Sequence, residues 1–159
     1  MKLDGKVAVS RLRSWILVVI TTDRWDVIYR SDVECMVRHF PLITMTKRPT
    51  NDYDHYHAHV YFDETSLDHA SSICHKAGEL FGLKVGRVHQ KPVGPHPCWS
   101  CQIAFDKAQF DLLIPWLEEN RQTLTVLVHA LTGNDLEDHT DHASWLGKSV
   151  PLKLSAFGA

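Results

Sequence analysis

Disulfide-forming cysteine is scarce in this chain. Four cysteines, Cys35, Cys74, Cys98 and Cys101, follow no spacing of a cross-linked secreted scaffold. Reduced thiols in a cytoplasmic protein are the expectation. Long apolar runs are also missing. The longest, "WILVVI" at 15–20, is too short to span a bilayer. A basic flank precedes it, but "TTDRWDVIYR" follows with no small-residue cleavage site, which speaks against a secretory signal. Charge of one sign is absent as well. A net charge of −2 gives no electrostatic reason to expect a nucleic-acid or membrane partner. There is no internal repeat and no low-complexity tract. What remains is a chain of 159 residues, enough for one domain with a real core, or a domain with an appendage.

Histidine is what the sequence has in excess. There are 11, and all but His39 lie after residue 50. The chain changes character near residue 45, across the polar join "MTKRPTNDYD". Residues 1–44 carry one histidine and one strand-like run at 15–21. They read as a dispensable extension to a domain at 45–159, with Met45 able to serve as an alternative start. The other reading is a short strand and helix that pack on that domain.

Residues 45–159 parse as two βαβ units. A strand is expected at 55–62. The helix after it spans 65–81, with Thr65 and Asp68 as a capping box, Gly82 as its C-terminal stop, and a stripe of Leu67, Ala70, Ile73, Cys74, Ala77 and Leu80. A second strand covers 83–89, and the proline-rich loop "QKPVGPHP" leads to a third at 98–105. Asp106 is placed to cap a helix at 107–120, in which Pro115 should produce a kink or start a second turn. A fourth strand covers 123–129. The tail 130–147 reads as a loop and short helix closed by Gly147.

The order βαββαβ predicts an α+β, ferredoxin-like fold with an antiparallel sheet, strand order 4-1-3-2, and both helices on one face. Strand side chains alternate. In "YHAHVYFDE" at 56–64, Tyr56, Ala58, Val60 and Phe62 therefore meet the helices, while His57 and His59 share the other face. Trp99, Cys101, Ile103 and Phe105 join the first set. Cys98, Ser100, Gln102, Thr125, Leu127 and His129 join the second. That second face is bare in a lone monomer, so a homodimer or a cleft is expected to cover it. His89 and His96 stand at the ends of its strands.

An H-x-H pair on one strand face offers two neutral nitrogens to a divalent ion. Cys98-Trp99-Ser100-Cys101 is a C-x-x-C, but in a strand its sulfurs point to opposite faces, which suits neither a redox pair nor a zinc ribbon. In "DHTDHASWLG" at 138–147, His139, His142 and Trp145 recur every third residue. This is either a polar helix whose Trp145 packs, or a lid bringing an aromatic ring and an imidazole to the cleft. His69 and His75 are expected on an exposed helix face, and His55 is expected to be solvated.

Four stretches carry a family resemblance: "YHAHVYFD" (56–63), "VGPHPCWSCQIAF" (93–105), "VLVHALTGNDLEDHTDHASWLG" (126–147) and "PLKL" (151–154). In order and spacing they resemble the DOPA 4,5-dioxygenase family of small bacterial and fungal proteins. The resemblance covers about 50–154 and leaves out 1–44. It implies extradiol chemistry, in which a catechol ring is cleaved beside its two hydroxyls using non-haem Fe(II) and O2.

Such chemistry commonly takes two histidines and a carboxylate as ligands. No carboxylate here stands out as the third, since Asp63 and Glu64 lie just past the strand. From facing alone, His57, His59 and His129 are the preferred metal ligands. His96 is the preferred acid/base, with His142 as a second catalytic candidate. Gln102, Trp145 and Arg87 are candidates for positioning substrate, Arg87 through a carboxylate. Two other classes stay open: a non-catalytic dimeric binding module, and a monooxygenase on the same fold.

Overall fold

The computed structural model describes residues 16–21, 24–29 and 46–158. The chain divides into two compact units, Met1–Met45 and Thr46–Ala159. In the first, β1 (Ile16–Thr21) and β2 (Arg24–Tyr29) pair as an antiparallel hairpin, Ile16 opposite Tyr29 and Thr21 opposite Arg24. The strand expected at 15–21 is present. The helix weighed for this region, Cys35 and His39 fall outside the described residues.

The second unit holds β3 (His55–Phe62), α1 (Leu67–Phe81), β4 (Lys84–Val85), β5 (Trp99–Asp106), α2 (Lys107–Asn120), β6 (Thr125–Ala130), α3 (Asp135–Asp138) and β7 (Ala143–Leu146). A 3-10 turn, Leu154–Phe157, follows. The sheet order is β4-β5-β3-β6-β7, antiparallel throughout. This is the expected ferredoxin-like α+β order with one strand added at an edge. β7 is a correction to the sequence reading of 130–147. The helix there is a single turn ending at Asp138, and the chain then turns back to pair Val126 with Leu146 and His129 with Ala143. Backbone of the segment before β3 meets β7, where Trp145 N–H donates to the Lys47 carbonyl at 2.8 Å.

Three local expectations need amending. The α1 N-terminus has Ser66 at the cap rather than a Thr65–Asp68 box. Asp63 does the capping from outside, accepting from the backbone N–H and hydroxyl of both Thr65 and Ser66. Leu80 is 63 % exposed. Phe81, which falls at the helical angle of Ala70 and Cys74, packs on the core instead. The second strand is only two residues long. Gly86 N–H bonds Gln102 O, and the next pairing is His89 with Ser100. Arg87 and Val88 thus both oppose Cys101, a bulge that breaks the alternation assumed for 83–89.

Other local signals hold. Asp106 caps α2 in a full capping box with Gln109. Gly82 ends α1 at φ 65°, a left-handed conformation suited to glycine. α2 continues through Pro115 as one element.

One face of the sheet packs on α1 and α2. Ile103, Leu113 and Leu117 are fully buried there, with Tyr56, Ala58, Val60 and Cys101. The other face is not bare. Leu127 is 0 % exposed, and Tyr61, Leu127 and Trp145 form a second core with Cys98, Ala143, Val150 and Leu152. The chain after β7 folds back across this face, tied by Lys153 N–H to the Pro95 carbonyl at 2.9 Å. An uncovered face was the reason for expecting a homodimer, and the fold removes that reason. Cys98 and Cys101 do lie in the two different cores, as facing in a strand requires.

Candidate metal centre

Five imidazoles gather on the second face. The register places His57 directly opposite His129, and His59 opposite Leu127 on one side and Gln102 on the other. His96 arrives from the loop before β5. Val93 to His96 close a turn through His96 N–H to the Val93 carbonyl at 3.1 Å. Gly94 takes φ 57° ahead of Pro95, the sign pattern of a type II′ turn. His139 arrives from the end of α3. There the buried Asp138 carboxylate holds the loop closed by accepting from Thr132 N–H at 3.1 Å and the Thr132 hydroxyl at 2.6 Å.

Two groups of three are close enough to hold an ion: His57, His59 and His129, and His59, His96 and His139. In each, the candidate ligand atoms lie within 4.8 Å of one another. His59 belongs to both. No carboxylate belongs to either.

The closest pair is His59 Nε2 and His129 Nε2, 3.2 Å apart and buried. Metal–nitrogen bonds are about 2.1 Å. Two such bonds spanning 3.2 Å meet at about 100°, between octahedral and tetrahedral angles. His129 Nδ1–H donates to the Ala130 carbonyl at 2.8 Å, and His139 Nδ1–H donates to the Asp135 carbonyl at 2.7 Å. A carbonyl only accepts, so each ring must carry its proton on Nδ1 and present a lone pair at Nε2. Outer partners orient metal-bound histidines in this way.

Burial also keeps His59, His96 and His129 neutral, as ligation requires. It pushes His129 down to about 3, aided by His139, and His96 down to about 4, aided by His139 and His57. His59 falls well below the ordinary histidine value through burial and the surrounding His96 and His129. His57, less buried, is lowered mainly by desolvation, with Asp138 and Asp135 opposing. The donor set therefore fits a divalent metal ion.

The remaining candidates are placed unequally. Gln102 donates its amide to His57 Nε2 at 2.9 Å, inside the cluster. Trp145 packs in the second core, its ring 6.0 Å from Tyr61. Arg87 is exposed on the bulge. His142 is not brought to the cluster, which corrects the lid reading. Because α3 stops at Asp138, the spacing of three no longer puts His139 and His142 on one side. His142 Nδ1 instead bonds Tyr53 Oη at 2.8 Å, beside a cavity of about 80 Å³ lined by Tyr56, Val128 and Ser144. His55 and His75 are exposed, and His69 bonds the Asn120 carbonyl.

Sequence reasoning passed over Tyr61, which bonds His96 Nδ1 at 2.8 Å, although it is the next residue after His57 and His59 on the same face. It also passed over Asp138, whose partner lies across a loop with no periodic signal.

The sequence profile of the Dopa 4,5-dioxygenase family matches residues 56–156. This chain belongs to that family. A protein named DOPA 4,5-dioxygenase from Amanita muscaria is 30% identical over 129 residues, covering 70% of this chain and 57% of its own length. A 21.2 kDa Botryotinia fuckeliana protein without an assigned function is 38% identical over 81 residues, covering 46% of this chain and 44% of its own length. The chain spans about half the length of the curated relatives it matches. A Nostoc punctiforme protein, described from its crystal structure as a candidate dioxygenase, superposes with a TM-score of 0.65 at 40% identity. The match covers 70% of this chain and 97% of that one. Family membership and the buried histidine cluster together make this a dioxygenase-like protein with a candidate metal centre. No helix among the described residues is long and apolar enough to cross a membrane.

Proposed function

We propose that this family member is an extradiol dioxygenase that opens the ring of a catechol such as DOPA beside its hydroxyls, with Fe(II) as cofactor and O2 as second substrate. The observation that carries the reading is the buried His59 Nε2–His129 Nε2 pair at 3.2 Å, joined by His57 across the β3–β6 register. These three are the proposed ligands. A bound ferrous ion supplies a centre at which a catechol and O2 can meet with open positions.

The chain's own residues do the rest. His96 lies on the same face, 4.0 Å ring to ring from His59, where it can hydrogen-bond or exchange a proton with a substrate oxygen. Gln102 orients His57 and lines the approach. The second core of Tyr61, Leu127 and Trp145 excludes water from one side of the centre. Arg87, exposed on its bulge, is the cation proposed for a substrate carboxylate. Free thiols at Cys74, Cys98 and Cys101 suit a reducing cytoplasm.

The test is anaerobic Fe(II) loading followed by oxygen uptake with a panel of catechols and analysis of the product. Stoichiometric iron, uptake and a ring-opened product are expected. A ring left intact would favour a monooxygenase. Absence of both metal and uptake would favour a binding module. Mass in solution decides whether the chain works as a homodimer.

A further inference from the structure

We propose that Tyr61 fixes His96 as a hydrogen-bond donor to a substrate oxygen, and thereby keeps His96 out of the metal's ligand set. This deepens the reading of the same site and rests on it for the identity of the substrate.

The geometry is a matter of where one proton can go. Among the described residues, the Tyr61 hydroxyl has a single hydrogen-bond partner, His96 Nδ1 at 2.8 Å. Tyr61 is 4 % exposed and packed with Leu127 and Trp145, so its O–H sits in a largely buried setting. If His96 Nδ1–H donated to Tyr61, the Tyr61 O–H would be left buried with nothing to accept it, which is the costly half of a broken hydrogen bond. With the Tyr61 O–H donating to Nδ1, the hydroxyl proton is satisfied and the His96 N–H is left free for the site. A neutral imidazole that accepts at Nδ1 carries its proton on Nε2. His96 then presents N–H to the cluster, where His129 and His139, bonded to carbonyls, present lone pairs.

That difference sets His96 apart from the other members of the two overlapping groups of three. His59, His96 and His139 cannot all ligate while Tyr61 holds the His96 proton on Nε2. In the group of His57, His59 and His129, His59 Nε2–H donates to the His129 Nε2 lone pair, and moving that proton to His59 Nδ1 for ligation strands no buried hydroxyl. The Nε2–H stabilises negative charge on a substrate oxygen by hydrogen bonding, without a transfer.

The test uses the full chain loaded with diamagnetic Zn(II). Heteronuclear NMR of the histidine ring nitrogens should show His96 with its proton on Nε2 in the parent protein. Tyr61→Phe should lose that preference. Metal stoichiometry should stay at the parental value in Tyr61→Phe and in His96→Gln. With iron and a catechol, Tyr61→Phe should lower kcat by about 10–100-fold. His96→Gln, whose amide can still donate, should keep more turnover than His96→Leu. A proton found on Nδ1 in the parent protein, or metal lost in His96→Gln, would overturn the proposal and make His96 a ligand. The NMR and metal readouts need no turnover. If no catechol is consumed by the parent protein, the proposed function fails while the tautomer assignment is still decided.

Discussion

The two faces of the β4-β5-β3-β6-β7 sheet are made from the same strands and differ in almost everything else. On the helix face, β3 contributes Tyr56, Ala58, Val60 and Phe62 to an apolar core against α1 and α2. One residue out of phase, the same strand contributes His57, His59 and Tyr61 to a face covered by the 89–97 loop, the α3 turn and residues 150–157. The first face is closed by regular elements and holds the fold together through burial. The second is closed by irregular chain and holds polar groups that are individually expensive to bury. Its histidines are satisfied by specific partners: Ala130 O, Asp135 O, Tyr61 and Gln102. Stability and chemistry are thereby separated by the pleat of a single strand.

Breaking the second face should have the larger functional effect. His59→Ala and His129→Ala should each lose stoichiometric metal and, with it, all turnover, while the far-ultraviolet circular dichroism stays that of the parent. Metal analysis of the purified variants checks this. His57→Ala should weaken metal binding as well, and full occupancy in that variant would reassign His57 to substrate.

The converse break is on the helix face. Leu117 is fully buried between α2 and the sheet. Leu117→Ala should cost about 2–5 kcal/mol of stability through lost burial and the cavity left behind. It should leave metal stoichiometry unchanged at temperatures where the protein is folded. Urea denaturation beside metal analysis separates the two quantities. A Leu117→Ala protein that folds but binds no metal would show that the faces are not independent.

Legibility followed the same division. Alternation is a local rule, and it placed Val60 and Ile103 in one core and His57, His59, Gln102 and His129 together on the other face. The element order supplied the sheet. What covers the histidines was not legible, because residues 89–97 and 150–157 carry no periodic pattern. Their position depends on long-range contacts such as Lys153 N–H to Pro95 O and the Phe157 ring 5.0 Å from His139. The exchange of His142 for His139 has the same origin. A spacing of three suggested a helix across 138–147, and pairing of Ala143–Leu146 with β6 outweighed it.

Acid should sharpen the comparison further. His96 and His129 titrate near 4 and 3 when folded, against an ordinary value of 6.5. In metal-free protein the unfolded chain therefore takes up protons that the native site refuses. Stability is full above about pH 6.5 and is lost as pH falls from there toward the folded values. At pH 5.5 the loss should be about 1 kcal/mol for each such histidine. Urea midpoints of the metal-free protein between pH 8 and pH 5 would measure it. A midpoint that is flat across that range would mean that these imidazoles are not desolvated.

The smallest effect expected is that of removing residues 1–45. Among the described residues, the partners named above on both faces come from residue 46 onward. α1 and α2 close the helix face, Val150 and Leu152 pack on the second core, and Lys47 O meets Trp145 N–H at β7. The β1–β2 hairpin bonds within itself. From the division into two compact units we propose that 46–159 folds alone, with thermal midpoint, metal stoichiometry and turnover equal to those of the full chain within measurement error. An insoluble product would give the first 45 residues a role in covering one of the two faces. A soluble product with less metal would assign that role to the histidine face. A lower midpoint with metal intact would assign it to the helix face.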